Sequence, residues 1–264
     1  MRLVTWNVAG RVRRQPEQAA AIAELAPDVV ALQEVTATTL ALWRASLAEA
    51  GLPHAASPLD RGRPPKPRRL AVLTAAREPL EPCAAPPGLP WPERVLVVAL
   101  ADGTRIVNVH SPISPSPGLA KVLTHEALAA ALAPPSADPL ILCGDLNTPR
   151  REHGPGDVLT FAHDTHGRVV EERGERWVAA ERALVAGLLD HGYTDAYRTL
   201  HGYGERSASW TYPRGGGGYR LDHVLARGLR PSAAAYAHAW REHGPSDHSA
   251  LVVDFDGERT TVDP

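Results

Sequence analysis

Bulky apolar residues at Leu3, Val4, Trp6 and Val8 predict a first strand over residues 2–8, released into a turn by Gly10. Ala20, Ile22, Ala23 and Leu25, closed by Pro27, have the spacing of a helix within 17–25. The run 29–32 reads as a strand buried on both faces and ending at Gln33-Glu34, and 38–50 is again helical in pattern, stopped near Gly51. The order β-α-β-α is a layered α/β beginning.

Further on, residues 60–69 (DRGRPPKPRR) combine three prolines with five basic side chains and no apolar anchor, the pattern of a cationic loop. Strands are expected at 70–74, 94–100 and 105–109. The last two are joined by Ala101-Asp102-Gly103-Thr104, and Asp-Gly between apolar runs predicts an antiparallel hairpin. Residues 119–132 are helical in pattern, and 140–143 form a short buried strand ending at GDLN. Residues 150–176 are polar and read as a surface excursion before a helix at 177–189; short strands are expected at 209–212, 219–226 and 250–254. The 25 prolines and 22 glycines sit mainly between these segments, so they punctuate a fold and do not signal disorder. No repeat argues for a solenoid, and no linker divides the chain, so one domain over 1–264 is expected.

Length and charge narrow the classes. With 264 residues the chain can bury one large core, and 28 basic against 30 acidic side chains give a formal charge of −2, which excludes a wholly cationic nucleic-acid coat but not a local basic face. The two cysteines, Cys83 and Cys143, form no CxxC pair, so neither a disulfide framework nor a thiolate zinc site is expected. The start MRLVTWNVAG reaches Asn7 before any signal-like apolar run, and no stretch approaches the roughly 20 apolar residues of a membrane span; the expectation is a cytoplasmic protein.

The chemistry gathers where apolar strands stop. Asn7 follows LVTW, Glu34 follows VVALQ, His110 follows IVNV, and Asp145 with Asn147 follow LILCG. Open sheets place sites at such rims, although a single acid or amide there more often caps a turn. Glu34, Asn7 and Asp145 are hard oxygen donors suited to Mg²⁺ or Mn²⁺, and His110 lacks the HxH or HExxH company of a zinc site. Near the C-terminus, PSDHSALVVDF places Asp247 and His248 in a turn feeding a strand, and Asp222 in YRLDHVLA could orient His248 through its other ring nitrogen. Serine hydrolysis is a competing reading of Ser246 and His248, but no GxSxG elbow occurs.

Taken in order, TWNVAG, ALQEV, NVHS, CGDLNTP, DAYR, SWTY, RLDHVL and SDHSALVV resemble the endonuclease/exonuclease/phosphatase superfamily and cover nearly the whole chain. The resemblance implies a four-layer α/β sandwich, two packed, mostly antiparallel sheets flanked by helices, and a metal-dependent phosphodiesterase. It implies that Glu34 is the principal metal ligand with Asn7 beside it, and that Asp247 is a further carboxylate on the metal side. By the same resemblance Asp145 aligns or deprotonates the attacking water, Asn147 holds the phosphate, and Asp222 orients His248. His110 falls where the abasic-site branch usually has tyrosine and where the deoxyribonuclease, sphingomyelinase and deadenylase branches have histidine. The stretch ERALVAGLLDHGYTDAYR and the later RLDHVL are similar to bacterial exonuclease III and abasic endonucleases, but glycines 215–218 stand where an aromatic usually precedes RLD.

For substrate, Arg11, Arg63, Lys66, Arg68 and Arg150 lie in loops that could share the rim with the site, and Trp210 and Tyr219 could stack on bases. Solvated arginine turns and core aromatics are the plainer alternatives. DNA cleavage, from an end or at abasic sites, leads the readings, and the protein is expected to act as a monomer. Hydrolysis of a phospholipid headgroup or soluble metabolite is a second enzyme class, and a non-catalytic nucleic-acid-binding module is a third reading.

Overall fold

The computed structural model describes residues 1–62, 69–136, 138–213, 215 and 217–256. Strands β1 (Arg2–Asn7), β2 (Val29–Thr36), β3 (His54–Ala56), β4 (Leu70–Ala76), β5 (Leu80–Pro82), β6 (Val95–Leu100), β7 (Arg105–His110) and β8 (Leu140–Asp145) make up the first half. The second half holds β9 (Arg151–Gly154), β10 (Asp157–Leu159), β11 (Thr194–Asp195), β12 (Trp210–Thr211), β13 (Gly218–Tyr219), β14 (Asp222–Arg227), β15 (Pro231–Ala237) and β16 (Ala250–Phe255). The helices are α1 (Gln15–Glu24), α2 (Leu40–Glu49), α3 (Ala120–Leu132), α4 (Gly174–Val185), α5 (Ala196–His201) and α6 (His238–Glu242).

Two six-stranded sheets run in the orders β15-β16-β1-β2-β4-β3 and β11-β14-β8-β7-β6-β5. Leu3, Ala31 and Val72 of the first sheet pack on Val98, Ile106, Ile141 and Val224 of the second. Alternate residues of the first sheet, Val4, Trp6 and Leu32, face Ile22 of α1 and Trp43 and Leu47 of α2, while Val107 and Leu142 face Leu128 of α3 and Leu184 of α4. This is the expected four-layer sandwich, produced by period-two alternation on strands buried on both faces.

Each sheet has one parallel step, β1 beside β2 and β7 beside β8, so the carboxyl ends of four strands emerge on one rim. The expected antiparallel hairpin is β6–β7. Glu34 does not end its strand: β2 continues to Thr36 past a bulge between Gln33 and Val35, where Glu34 adopts φ 63°. The bulge turns an interior residue toward the rim. Gly144 must lack a side chain, because at φ 125° a Cβ there would lie 2.0 Å from the Val109 carbonyl oxygen; this close approach carries β8 past β7 to Asp145.

Three expectations need correction. Residues 150–176 are not merely a surface excursion, since they contain the β9–β10 hairpin and the buried Thr160 and Ala162. The expected strand 219–226 is two strands, broken at Arg220-Leu221 because the buried Arg220 turns inward to Glu152 and Asp195. The helix expected at 177–189 starts earlier and ends at Val185, with a 3₁₀ turn following at Gly187–His191. Arg63, Lys66 and Arg68 lie outside the described residues.

Arg220 and Arg198 join β9 to β11 and α5 through Glu152 and Asp195. Burial alone would raise the Glu152 carboxyl, but Arg220, followed by His223 and Arg198, outweighs it and brings it down to about 2. A depressed carboxylate stabilises the fold above its unfolded value and loses that contribution as pH falls through the folded one. We expect urea unfolding to show stability falling from about pH 5 toward pH 2, with Glu152→Gln about 3 kcal/mol less stable at pH 7 and flatter across that acid range.

Candidate active site

The rim gathers Asn7 from the end of β1, Glu34 from the β2 bulge, His110 from the end of β7, Asp145 from the end of β8, Asp222 from the start of β14 and His248 from the turn before β16. Asn7 Nδ2 donates to Asp145 Oδ2 at 2.9 Å and to Glu34 Oε1 at 3.2 Å, while its Oδ1 accepts from Ala9 N at 3.0 Å. Asn7, expected to offer an oxygen to a metal, is thus turned to bridge two carboxylates as a donor. His110 Nε2 lies 3.6 Å from Glu34 Oε1 and 3.9 Å from Asp145 Oδ2. His248 Nδ1 is 2.7 Å from Asp222 Oδ2, and its Nε2 faces Asp145 Oδ2 at 3.9 Å. Asp145 Oδ1 accepts the Asn147 backbone N–H at 2.9 Å, and Asn147 Nδ2 donates to Ser111 O at 2.8 Å.

Ser246 Oγ donates to Asn7 O at 2.6 Å and accepts from His248 N, so it braces the turn and has no base to activate it. The serine-hydrolase alternative is thereby removed.

The electrostatics are those of carboxylates short of cations. Burial raises the Glu34 carboxyl, and Asp247 adds to it against the Asn7 amide and His248. Burial likewise pushes Asp145 up to about 7, with Asp222 adding and His248 opposing. Burial disfavours the His248 imidazolium, but Asp222 and Asp145 outweigh it and lift it to about 10. His110, in contrast, is driven well below its ordinary value by burial, so it faces the acids as a neutral imidazole. Asp145, Asp222 and His248 bring ligating atoms within 4.8 Å of one another, a buried set able to coordinate a divalent metal. Asp222 Oδ1 is buried without a hydrogen-bond partner. The raised Glu34 and Asp145 carboxyls and the unpartnered Asp222 Oδ1 are hard oxygens whose charge a divalent cation would offset.

A cavity of ≈ 380 Å³ opens above this floor, lined by Glu34, His110, Asp145, Asn147, Asp247 and His248 and walled by Ile113, Pro115, Phe161, Trp210, Tyr219 and Leu221. Trp210 and Tyr219 pair across β12 and β13. Of the predicted basic contacts, Arg11 donates to Gly244 O at 2.6 Å and Arg150 to His163 O at 2.9 Å; neither lines the cavity. Sequence reasoning missed Phe161, Ile113 and Leu221 of the wall. It also missed Lys121, whose signal was its place four residues before His125 on a mainly apolar helix.

The family described as Endonuclease/Exonuclease/phosphatase matches residues 4–248, and the chain belongs to that family. No curated protein matches the sequence. Among solved structures, an AP endonuclease from Archaeoglobus fulgidus superposes with a TM-score of 0.73 at 22% identity, over 97% of this chain and 99% of that one. A 3'-5' exonuclease from Neisseria meningitidis gives 0.70 at 23% identity, over 97% and 100%. A Beutenbergia cavernae endonuclease/exonuclease/phosphatase gives 0.63 at 20%, over 97% of this chain and 71% of that one. At these identities the likeness is one of fold.

The Asp222–His248 contact makes a prediction independent of catalysis. In Asp222→Asn the His248 imidazole should titrate well below its wild-type value of about 10, moving back toward the ordinary histidine range, as followed by NMR of the ring Cε1–H. An unchanged titration would mean that another group holds the proton.

Proposed function

We propose that the chain is a divalent-metal-dependent phosphodiester hydrolase acting on DNA, of the exonuclease III and abasic-endonuclease type, working as one monomeric cytoplasmic catalytic domain. The convergence of Glu34, Asp145, His110 and the Asp222–His248 pair at the floor of one cavity carries this reading. The similar folds of an AP endonuclease and a 3'-5' exonuclease support the choice of DNA.

Glu34, with Asp247 near it, would hold Mg²⁺ or Mn²⁺, and Asn7 would keep the Glu34 and Asp145 carboxylates together. Bound there, the cation would polarise a phosphate oxygen and offset the substrate's charge. Asp145, close to neutrality in its proton affinity, would take the proton of the attacking water. The His248 imidazolium, held by Asp222, would face the developing negative charge. So would the Asn147 amide hydrogen not engaged by Ser111. Neutral His110 would add a third donor through Nε2.

A smaller phosphodiester is the second reading. It is favoured by Arg11 and Arg150, which spend hydrogen bonds on backbone carbonyls instead of projecting into the cavity. The two readings differ in salt dependence, because a DNA backbone contacted by several cations loses affinity steeply as salt rises.

A magnesium-dependent panel of intact, nicked and abasic duplexes beside phosphatase and sphingomyelin substrates tests both. We expect turnover on DNA that chelation abolishes, and a loss of roughly a hundredfold or more in Asp145→Asn and in Asn147→Ala, the scale of one positioned group at about 3 kcal/mol. Near-wild-type turnover by Asp145→Asn would overturn the proposed proton transfer, and DNA binding insensitive to ionic strength would overturn the choice of substrate.

A further inference from the structure

Directly beneath Asn147 lies an ion pair that the proposed reaction does not use. Lys121 of α3 and Glu181 of α4 meet at 2.8 Å with their side chains 1% and 0% exposed. Lys121 Nζ also donates to the Asn147 carbonyl oxygen at 2.6 Å and lies 4.8 Å from the Phe161 ring centroid. Glu181 is saturated: Oε1 accepts from Lys121 and from Trp177 Nε1 at 2.6 Å, and Oε2 accepts from Thr148 Oγ1 at 2.6 Å and Phe161 N at 2.9 Å. One turn along α3, His125 Nε2 meets Ser111 Oγ at 2.8 Å, and Ser111 O is the acceptor of the Asn147 side-chain amide.

A buried pair of this kind is a poor source of stability, because desolvating two charges offsets most of their attraction. Burial draws the Lys121 ammonium below its ordinary value against Glu181. Burial would raise Glu181, but Lys121 outweighs it and keeps the carboxyl low, in keeping with its four donors. The ionised pair therefore needs a reason other than packing. Its contacts supply one. Asn147 stands at φ 50°, a left-handed backbone that asparagine tolerates, and its carbonyl oxygen accepts from Lys121 while its side chain lines the cavity.

We propose that Lys121, locked by Glu181, is a positioning residue for Asn147. This rests on the function proposed above. Lys121 would not touch the substrate; it would fix the direction of an amide that acts on the transition state more than on bound substrate. Removing it should therefore lower kcat and leave KM little changed.

Lys121→Met alone leaves Glu181 buried without its partner and is expected to fold poorly. The test is therefore the neutral double variant Lys121→Met/Glu181→Gln, with Lys121→Arg as the conservative control and circular dichroism as the check on folding. We expect the folded double variant to lose roughly ten- to hundredfold in kcat with KM within about twofold. Lys121→Arg should recover most of the loss. Adding Asn147→Ala to the double variant should cost nothing beyond Asn147→Ala alone, since the effect runs through that amide. Losses that multiply, or a folded double variant with kcat within about twofold of wild type, would overturn the proposal. The Asn147 side-chain NH₂ pair in a ¹⁵N NMR spectrum gives a readout that needs no activity. It should shift or broaden in the double variant, and unchanged resonances would overturn the positioning role. If the wild-type protein hydrolyses no phosphodiester, the functional reading fails, while the NMR comparison still decides whether Lys121 holds Asn147.

Discussion

The two sheets are pinned to each other by a pair of buried amides. Gln33 Nε2 donates to Asn108 Oδ1 at 2.9 Å and to Thr5 Oγ1 at 3.0 Å. Asn108 Nδ2 donates back across the layer to Leu32 O, Leu73 O and Thr74 Oγ1. Apolar contacts tolerate sliding, but these donors find acceptors in one registration only, and each buried group left unpaired would cost about 1–3 kcal/mol. Gln33 immediately precedes Glu34, and Asn108 lies two residues before His110. The amide pair thus lies beside both an acid on one sheet and an imidazole on the other, which stand 3.6 Å apart.

That registration acts on a frame with a repeated plan. In each sheet a central parallel pair sends two strands to the same rim, with Asn7 opposite Gln33 in one and His110 opposite Asp145 in the other. Asn7, His110 and Asp145 thus come from rigid strand ends and Glu34 from a bulge, whereas Asp247, His248 and Asn147 sit in turns. Both turns are braced from below. The first has Ser246 on the Asn7 carbonyl, and the second has Lys121 on the Asn147 carbonyl. Burying acids here is costly without compensating charge, and it is burial above all that raises Glu34 and Asp145.

The rim was legible from the sequence because a polar residue ending a run of apolar ones leaves a local mark. Asn7, His110 and Asp145 all carry it, and the Asp222–His248 contact, left open by the residue types alone, was implied by the family resemblance. Glu34 was found for a partly wrong reason: its strand does not stop there, and a bulge has no signature in side-chain alternation. The strand β15 was missed because Pro231 and four alanines mask its alternation, while Tyr236 alone marks the buried face. Lys121 and Glu181 were missed on different grounds. Charges on helices are expected in solvent, and only the packing of α3 against α4 shows that these two face each other.

The wall of the cavity is built on different parts of the chain from its acidic floor. The wall is built from loop residues Ile113, Pro115 and Phe161 and from the short β12–β13 ribbon. Gly218 has no room for a side chain, since a Cβ would lie 2.2 Å from the Trp210 carbonyl oxygen, so the ribbon closes tightly and sets Tyr219 against Trp210. Their rings are nearly parallel, with planes 2° apart, but the centroids are only 6.1 Å apart. Sandwiching a base between two rings needs about 7 Å, two carbon contacts of roughly 3.5 Å. The pair is therefore a wall and not a slot. A nucleotide entering the cavity would meet these aromatics from one side, with Phe161 set edge-on against Tyr219 to keep the wall continuous. Recognition would then come from the shape of the sugar-phosphate and the fit of one face, so the same floor could serve a different phosphodiester if the wall moved.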